Sequence, residues 1–164
     1  MGQQDLPLNK AGIAQARYAE SLLRQEYDIQ TICHSPLMRA KQTAEIIKGD
    51  RNLTMVSLPN LKEMNLGIME GELLGDKKWL EAWENGQLIE GAETQEDFFN
   101  RALEGVNQAL KYPAPVLIVS HGGVYRQIKK ILKMGPRDLP NCSPLLFKAT
   151  QNLNFPWMVC SLNP

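Results

Sequence analysis

No apolar run in this chain approaches the roughly 20 residues that a membrane-crossing helix needs, so no membrane anchor is expected. The start, Met1-Gly2-Gln3-Gln4-Asp5-Leu6, lacks the basic and apolar regions of a secretory leader, and it lacks the Ser or Thr of a myristoylation signal. Net charge is missing too, because 18 Lys and Arg balance 18 Asp and Glu. Without an excess of one sign the chain has no global attraction to nucleic acid or an anionic membrane; neither is expected as a partner, and any anion site must be local. Cysteine is scarce. Cys33, Cys142 and Cys160 are odd in number, far apart and outside any Cys-x-x-Cys pair, which points to a reducing, cytoplasmic compartment. Repeats, low-complexity tracts and linkers are absent as well. The 164 residues are enough to bury a core without disulfides or a structural metal, so residues 1–164 read as one domain.

What is present alternates. Asn9 is placed to cap a helix in which Ile13, Ala16, Ala19, Leu22 and Leu23 return every three or four residues on one face. Residues 28–34 form a β-rich run that stops at Ser35-Pro36, where serine suits an N-cap and proline the first helical position. The next helix runs through Leu37, Ala40, Ala44 and Ile47, with Gly49 set to end it in a left-handed conformation. Residues 53–58 predict a short strand, and residues 60–75 are irregular, a kind of segment that often carries function. Thr94-Gln95-Glu96-Asp97 resembles a capping box before a helix with Phe98, Ala102, Val106, Ala109 and Leu110 on one face, ending near Tyr112-Pro113. Val116-Leu117-Ile118-Val119 has the composition of a strand buried on both faces, expected at the centre of a parallel sheet. Beyond Ser120-His121-Gly122-Gly123, Val124, Ile128, Ile131 and Leu132 mark a helix that Gly135-Pro136 stops. Two further strands are read around Leu145-Leu146-Phe147 and Trp157-Met158-Val159-Cys160. This alternation predicts a three-layer α/β/α sandwich with a mostly parallel sheet.

In open α/β sheets, ligands bind beyond the carboxyl ends of the strands. Both histidines of the chain, His34 and His121, end predicted strands, and each precedes a helix whose first amides are free for an anion. Arg39, about one turn into its helix, is placed to reach the same edge and hold two phosphate oxygens through its planar fork. A small phosphorylated molecule is therefore the expected ligand. Trp79 and Trp83, one helical turn apart, either pack or form part of a lid, and Lys129-Lys130 is a solvated helix face.

Five stretches in order resemble the histidine phosphatase (phosphoglycerate-mutase-like) superfamily. They are Asp5-Leu6-Pro7-Leu8-Asn9, Ser35-Pro36-Leu37-Met38-Arg39-Ala40-Lys41-Gln42-Thr43-Ala44, Leu61-Lys62-Glu63-Met64-Asn65-Leu66-Gly67-Ile68-Met69-Glu70-Gly71, Gly91-Ala92-Glu93-Thr94 and Val119-Ser120-His121-Gly122-Gly123. The tail, with Asn141-Cys142-Ser143 and the run from Trp157 to Asn163, is similar too. The resemblance implies a phosphoglycerate-mutase-like fold and a phosphatase or mutase reaction through a phosphohistidine, with no metal or cofactor. It also implies roles: Arg39 clamps phosphoryl oxygens, His121 contacts the same group with the Gly122 amide beside it, and Glu63 gives a proton to the leaving oxygen. Glu93 either braces its loop or caps the helix. His34 and Ser35 are expected to line the pocket.

The family's nucleophile lies in an Arg-His-Gly motif upstream of the stretch that Gly2-Gln3-Gln4-Asp5 matches, and no Arg-His-Gly occurs in these residues. Loss of a nucleophile costs on the order of a million-fold in rate, so feeble turnover or none is expected of the chain as it stands. Three explanations stay open: a fragment or misplaced start of an active phosphatase, a non-catalytic pseudoenzyme that binds or regulates through phosphorylated ligands, or His34 in the nucleophile's place. The resemblance puts the absent strand near the middle of the sheet, beside Val116–Val119. The sheet is then expected to close up, or to take a segment from a second copy in a homodimer.

Overall fold

The computed structural model describes residues 2–71, 78–135, 139–151 and 157–161. Helix α1 (Lys10–Glu26) begins as expected at Asn9, whose extended backbone lets its Oδ1 accept the Gly12 N–H at 2.8 Å. It buries Ala16, Ala19 and Leu23. Strand β1 (Thr31–His34) is buried throughout and lies between two parallel partners, β2 (Thr54–Ser57) and β3 (Val116–Val119). Thr31 stands opposite Thr54 and Val116, and His34 opposite Ser57 and Val119. The two-residue pleat sorts the core. Ile32 packs with Ala19, Leu23, Ala40, Ala44 and Ile47 of α1 and α2 (Met38–Lys48), whereas Cys33 packs with Leu58, Leu61 and Ala109 on the opposite face. Helix α4 (Gln95–Ala109) covers that second face, which gives the three layers.

Helix α4 opens on Thr94, whose hydroxyl accepts the Asp97 N–H, and it buries Phe98 and Ala102 against Val124 of α5 (Gly122–Ile131). A fully buried phenylalanine of this kind contributes about 1.5–3 kcal/mol. Helix α3 (Lys78–Glu84) presses Trp83 into the same cluster, 3% exposed, with its indole N–H on the Glu93 carbonyl at 2.8 Å. Trp79 packs at the cluster's edge, so both tryptophans serve the core and not a lid.

Two expectations need correction. Val116–Val119 is not the central strand: among the described residues β3 pairs with β1 alone, three of its four residues are half-buried, and β1 holds the middle. Strands β4 (Leu145–Ala149) and β5 (Trp157–Ser161) form a separate antiparallel hairpin, leaving β3 with an unladdered edge among those residues. Helix α2 also starts later than Ser35-Pro36 suggests. Its N-cap is Leu37, with no side-chain cap of its own, and the Asp5 carboxylate reaches across to accept the Met38 N–H at 2.5 Å. Ser35 is otherwise occupied, as described below. Gly49 does end the helix with φ +56°, although its ψ of −132° belongs to the extended glycine region. Pro136 lies outside the described residues. Among those described, no helix is long and apolar enough to cross a membrane.

Candidate functional site

The parallel ladder of β1 on β3 continues one residue past the strand ends, where the Ser35 N–H donates to the Val119 carbonyl at 3.0 Å. This register sets Ser35, the first residue after β1, beside His121, which ends the β3 connection and stands as N-cap of α5. The Ser35 hydroxyl and His121 Nε2 lie 2.8 Å apart. Burial, reinforced by the positive charges of Arg39 and Arg101, pushes the His121 pKa down to about 3. The ring is therefore uncharged near neutral pH.

Arg39 stands in the first turn of α2. Its Nη1 donates to the Gln4 carbonyl and its Nη2 to the Gly2 carbonyl, both at 2.8 Å. Burial draws its pKa down, opposed by the carboxylates of Glu63, Asp5 and Glu70, and a guanidinium so placed stays a cation. Arg39 acts electrostatically on His121, and Glu63 on Arg39, so three of the residues expected in the site converge on one edge of the sheet. The Glu63 carboxylate docks on the start of α5, Oε2 accepting the Gly123 N–H and Oε1 the Met64 N–H, each at 3.0 Å. A negative charge is favoured at that helix end. Gly123 permits the contact by lacking a side chain, since a Cβ there would stand 1.9 Å from Glu63 Oε1. To release a proton to a leaving group Glu63 would first have to hold one, and its oxygens act here as acceptors.

Gly122 is exposed, and its N–H meets no acceptor among the described residues. His34 sits behind the site, 5% exposed, with Nδ1–H donating to the Ser35 carbonyl at 2.8 Å. Its imidazole is thus joined to that of His121 through one serine. Glu93 braces its loop: its carboxylate takes both Nε and Nη2 of Arg101 at 2.6 and 2.7 Å and also accepts the Asn65 N–H.

Two organising residues were not foreseen. Arg101 donates further to the carbonyls of Asn60, Lys62 and Glu63, which fixes the loop carrying Glu63. Its only sequence signal is a position flanking the apolar stripe of α4. Glu70 accepts the N–H groups of Gln3, Gln4 and Leu66 and so ties the first residues to the site. Among the described residues, no three His, Cys, Asp or Glu side chains gather to hold a metal ion.

An uncharged imidazole, a guanidinium and a helix N-terminus lie at the carboxyl edge of the parallel strands, the edge at which open α/β sheets bind their ligands. The chain belongs to the histidine phosphatase superfamily (branch 1), whose family model matches residues 1–150. It is 35% identical over 133 residues to the "Probable phosphoglycerate mutase GpmB" of Yersinia pestis (strain Pestoides F), a match covering 74% of this chain and 60% of that protein. The chain thus spans less than two thirds of the length of that curated relative. Among solved structures, YhfR of Bacillus stearothermophilus superposes with a TM-score of 0.83 at 23% identity, over 98% of this chain and 86% of its own, a likeness of fold. The alpha-ribazole phosphatase of Shigella flexneri superposes at 0.72 with 25% identity, over 92% of this chain and 82% of its own. The phosphoglycerate-mutase-like α/β fold read from the sequence is the one observed.

Proposed function

We propose that this chain binds small phosphorylated molecules at the junction of β1, α2, β3 and α5, as a phosphomonoester phosphatase or mutase-like protein. One observation carries the reading: at the carboxyl edge of β1 and β3 the Arg39 charge acts on the His121 ring, while three of the five Arg39 N–H groups and the Gly122 N–H remain for an anion. In this reading Arg39 and the Gly122 amide hold phosphoryl oxygens, His121 donates to the same group, and Glu63 moves the proton of the leaving oxygen. Ser35 and His34 back the pocket, and because no Arg-His-Gly occurs in these residues to supply the nucleophile of the family's phosphohistidine reaction, turnover is expected to be feeble or absent. The relatives' names support both halves, one a mutase and the other a phosphatase. The three free cysteines support a cytoplasmic setting.

Calorimetric titration with inorganic phosphate tests the binding claim. Arg39→Ala should weaken binding at least about ten-fold, because charge-assisted bonds to phosphate are lost, whereas Lys130→Ala should leave it unchanged. Equal binding by Arg39→Ala and the parent overturns the reading.

A second reading, phospholigand binding without turnover, is favoured by the burial of His34 and by the Ser35 contact that occupies one nitrogen of His121. Turnover of a generic aryl phosphate that His121→Ala abolishes supports the enzyme, and phosphate-competitive binding with no turnover supports the second reading. The unladdered edge of β3 supports a homodimer formed by segment exchange. Sedimentation velocity showing a monomer at all concentrations would sink it.

A further inference from the structure

We propose that the Ser35 hydroxyl is a positioning residue that donates to Nε2 of His121 and holds the ring as the tautomer whose Nδ1–H is offered to the bound anion. The inference rests on the phosphate-binding reading of the site and adds to it which ring atom binds and what sets it.

Ser35 is 0% exposed, so its hydroxyl has no water to turn to. A hydroxyl carries one hydrogen and two lone pairs. The Leu37 N–H uses one lone pair at 3.3 Å. Among the described residues the acceptor in reach of the hydroxyl hydrogen is His121 Nε2 at 2.8 Å. Were Nε2 protonated, the hydroxyl would receive two N–H donors while its own hydrogen pointed at nothing. Leaving a buried donor unsatisfied disfavours that arrangement on the order of ten-fold to a hundred-fold. The proton of the uncharged ring therefore resides on Nδ1, which has no partner among the described residues.

The main chain that carries the serine is fixed on both sides. Its N–H is held by the Val119 carbonyl and its own carbonyl by His34 Nδ1–H. Arg39 and Arg101 both work against a charged ring, and the Glu63 carboxylate is tied to the Gly123 and Met64 amides. Arg39 thus supplies positive charge, and His121 supplies an oriented donor that needs no charge of its own.

Long-range proton–nitrogen correlation spectra of the 164-residue chain at about pH 8, above the ordinary histidine pKa of about 6.5, test this directly, with and without inorganic phosphate. The histidine signal lost in His121→Gln identifies the ring. The expected result is a pyrrole-type Nδ1 and a pyridine-type Nε2, with the Nδ1 proton shifting as phosphate is added. A pyrrole-type Nε2 overturns the inference while leaving phosphate binding intact. Absence of phosphate binding sinks the underlying reading and, with it, the anion's part in this one. Ser35→Ala should give a mixture of tautomers and about ten-fold weaker phosphate binding, and Ser35→Thr should restore the single tautomer. A folded Ser35→Ala that keeps the parent tautomer makes the serine merely structural. If that variant does not fold, the parent spectrum alone decides.

Discussion

Arg101 and Arg39 are both partly buried guanidiniums at the same edge of the sheet, yet they are built for different work. All five N–H groups of Arg101 are taken: two by the Glu93 carboxylate and three by the carbonyls of Asn60, Lys62 and Glu63. Its face also covers the Phe98 ring, 5.1 Å from the centroid. Arg39 gives only two of its five to neutral carbonyls, and no carboxylate pairs with it within 4.0 Å among the described residues. A saturated guanidinium is a structural joint, and an unsaturated one beside a helix N-terminus is equipped for a ligand. Counting donors separates the two where sequence position does not.

That contrast breaks if substitution affects both residues alike. Arg101→Ala should have the largest effect on stability, about 3 kcal/mol in urea unfolding. The value lies at the low end for a buried pair because both Arg101 and Glu93 keep 19% of their side-chain surface exposed. A loss below about 1 kcal/mol would deny the joint. Gly123→Ala should follow at about 1–2 kcal/mol, since its Cβ must expel the Glu63 carboxylate from α5, partly offset by alanine's better helix propensity. Unchanged stability together with unchanged phosphate binding would show that Glu63 does not need this dock.

Acid should act more gradually. The folded-state pKa of His121, about 3, lies below the unfolded value of about 6.5, so the unfolded chain takes up the proton first. Stability is then complete above about pH 6.5 and falls by roughly 1 kcal/mol per unit as pH drops toward 3. His121→Gln should flatten that part of a stability-versus-pH curve, and an unaltered slope would refute it. The smallest effect on stability, about 1 kcal/mol or less, is expected for Arg39→Ala, even though that variant should bind phosphate at least about ten-fold more weakly. Arg39→Ala destabilised as much as Arg101→Ala would erase the distinction.

Much of this arrangement was legible in the residue order. The Asn9 and Thr94 caps act within three residues, β1 announces itself by a β-rich run before Ser35-Pro36 and α4 by its apolar spacing, so these elements lie within two or three residues of expectation. That Arg39 and His121 should lie at one edge of the sheet was read from the strand-end rule and the resemblance of the flanking stretches, and the Arg39 charge does act on the His121 ring. What escaped depends on contacts between distant residues. Ser35 looks like a helix cap until His121 takes its hydroxyl, and Asp5 caps α2 from 33 positions away. Arg101 reads as an ordinary helix residue because the carbonyls that occupy it carry no side-chain signature. The placement of Val116–Val119 failed because apolar, β-branched composition reports a strand and not the number of its ladder partners.

Arg39 is tethered to peptide oxygens of Gly2 and Gln4, and Glu70 in turn grips the peptide nitrogens of Gln3 and Gln4. The tether is written in main chain, so side-chain drift at positions 3 and 4 leaves it in force. Position 2 is the exception, where any Cβ would land 2.1 Å from Glu70 Oε1. One hydrogen atom in place of a methyl group keeps the whole strap seated against the guanidinium.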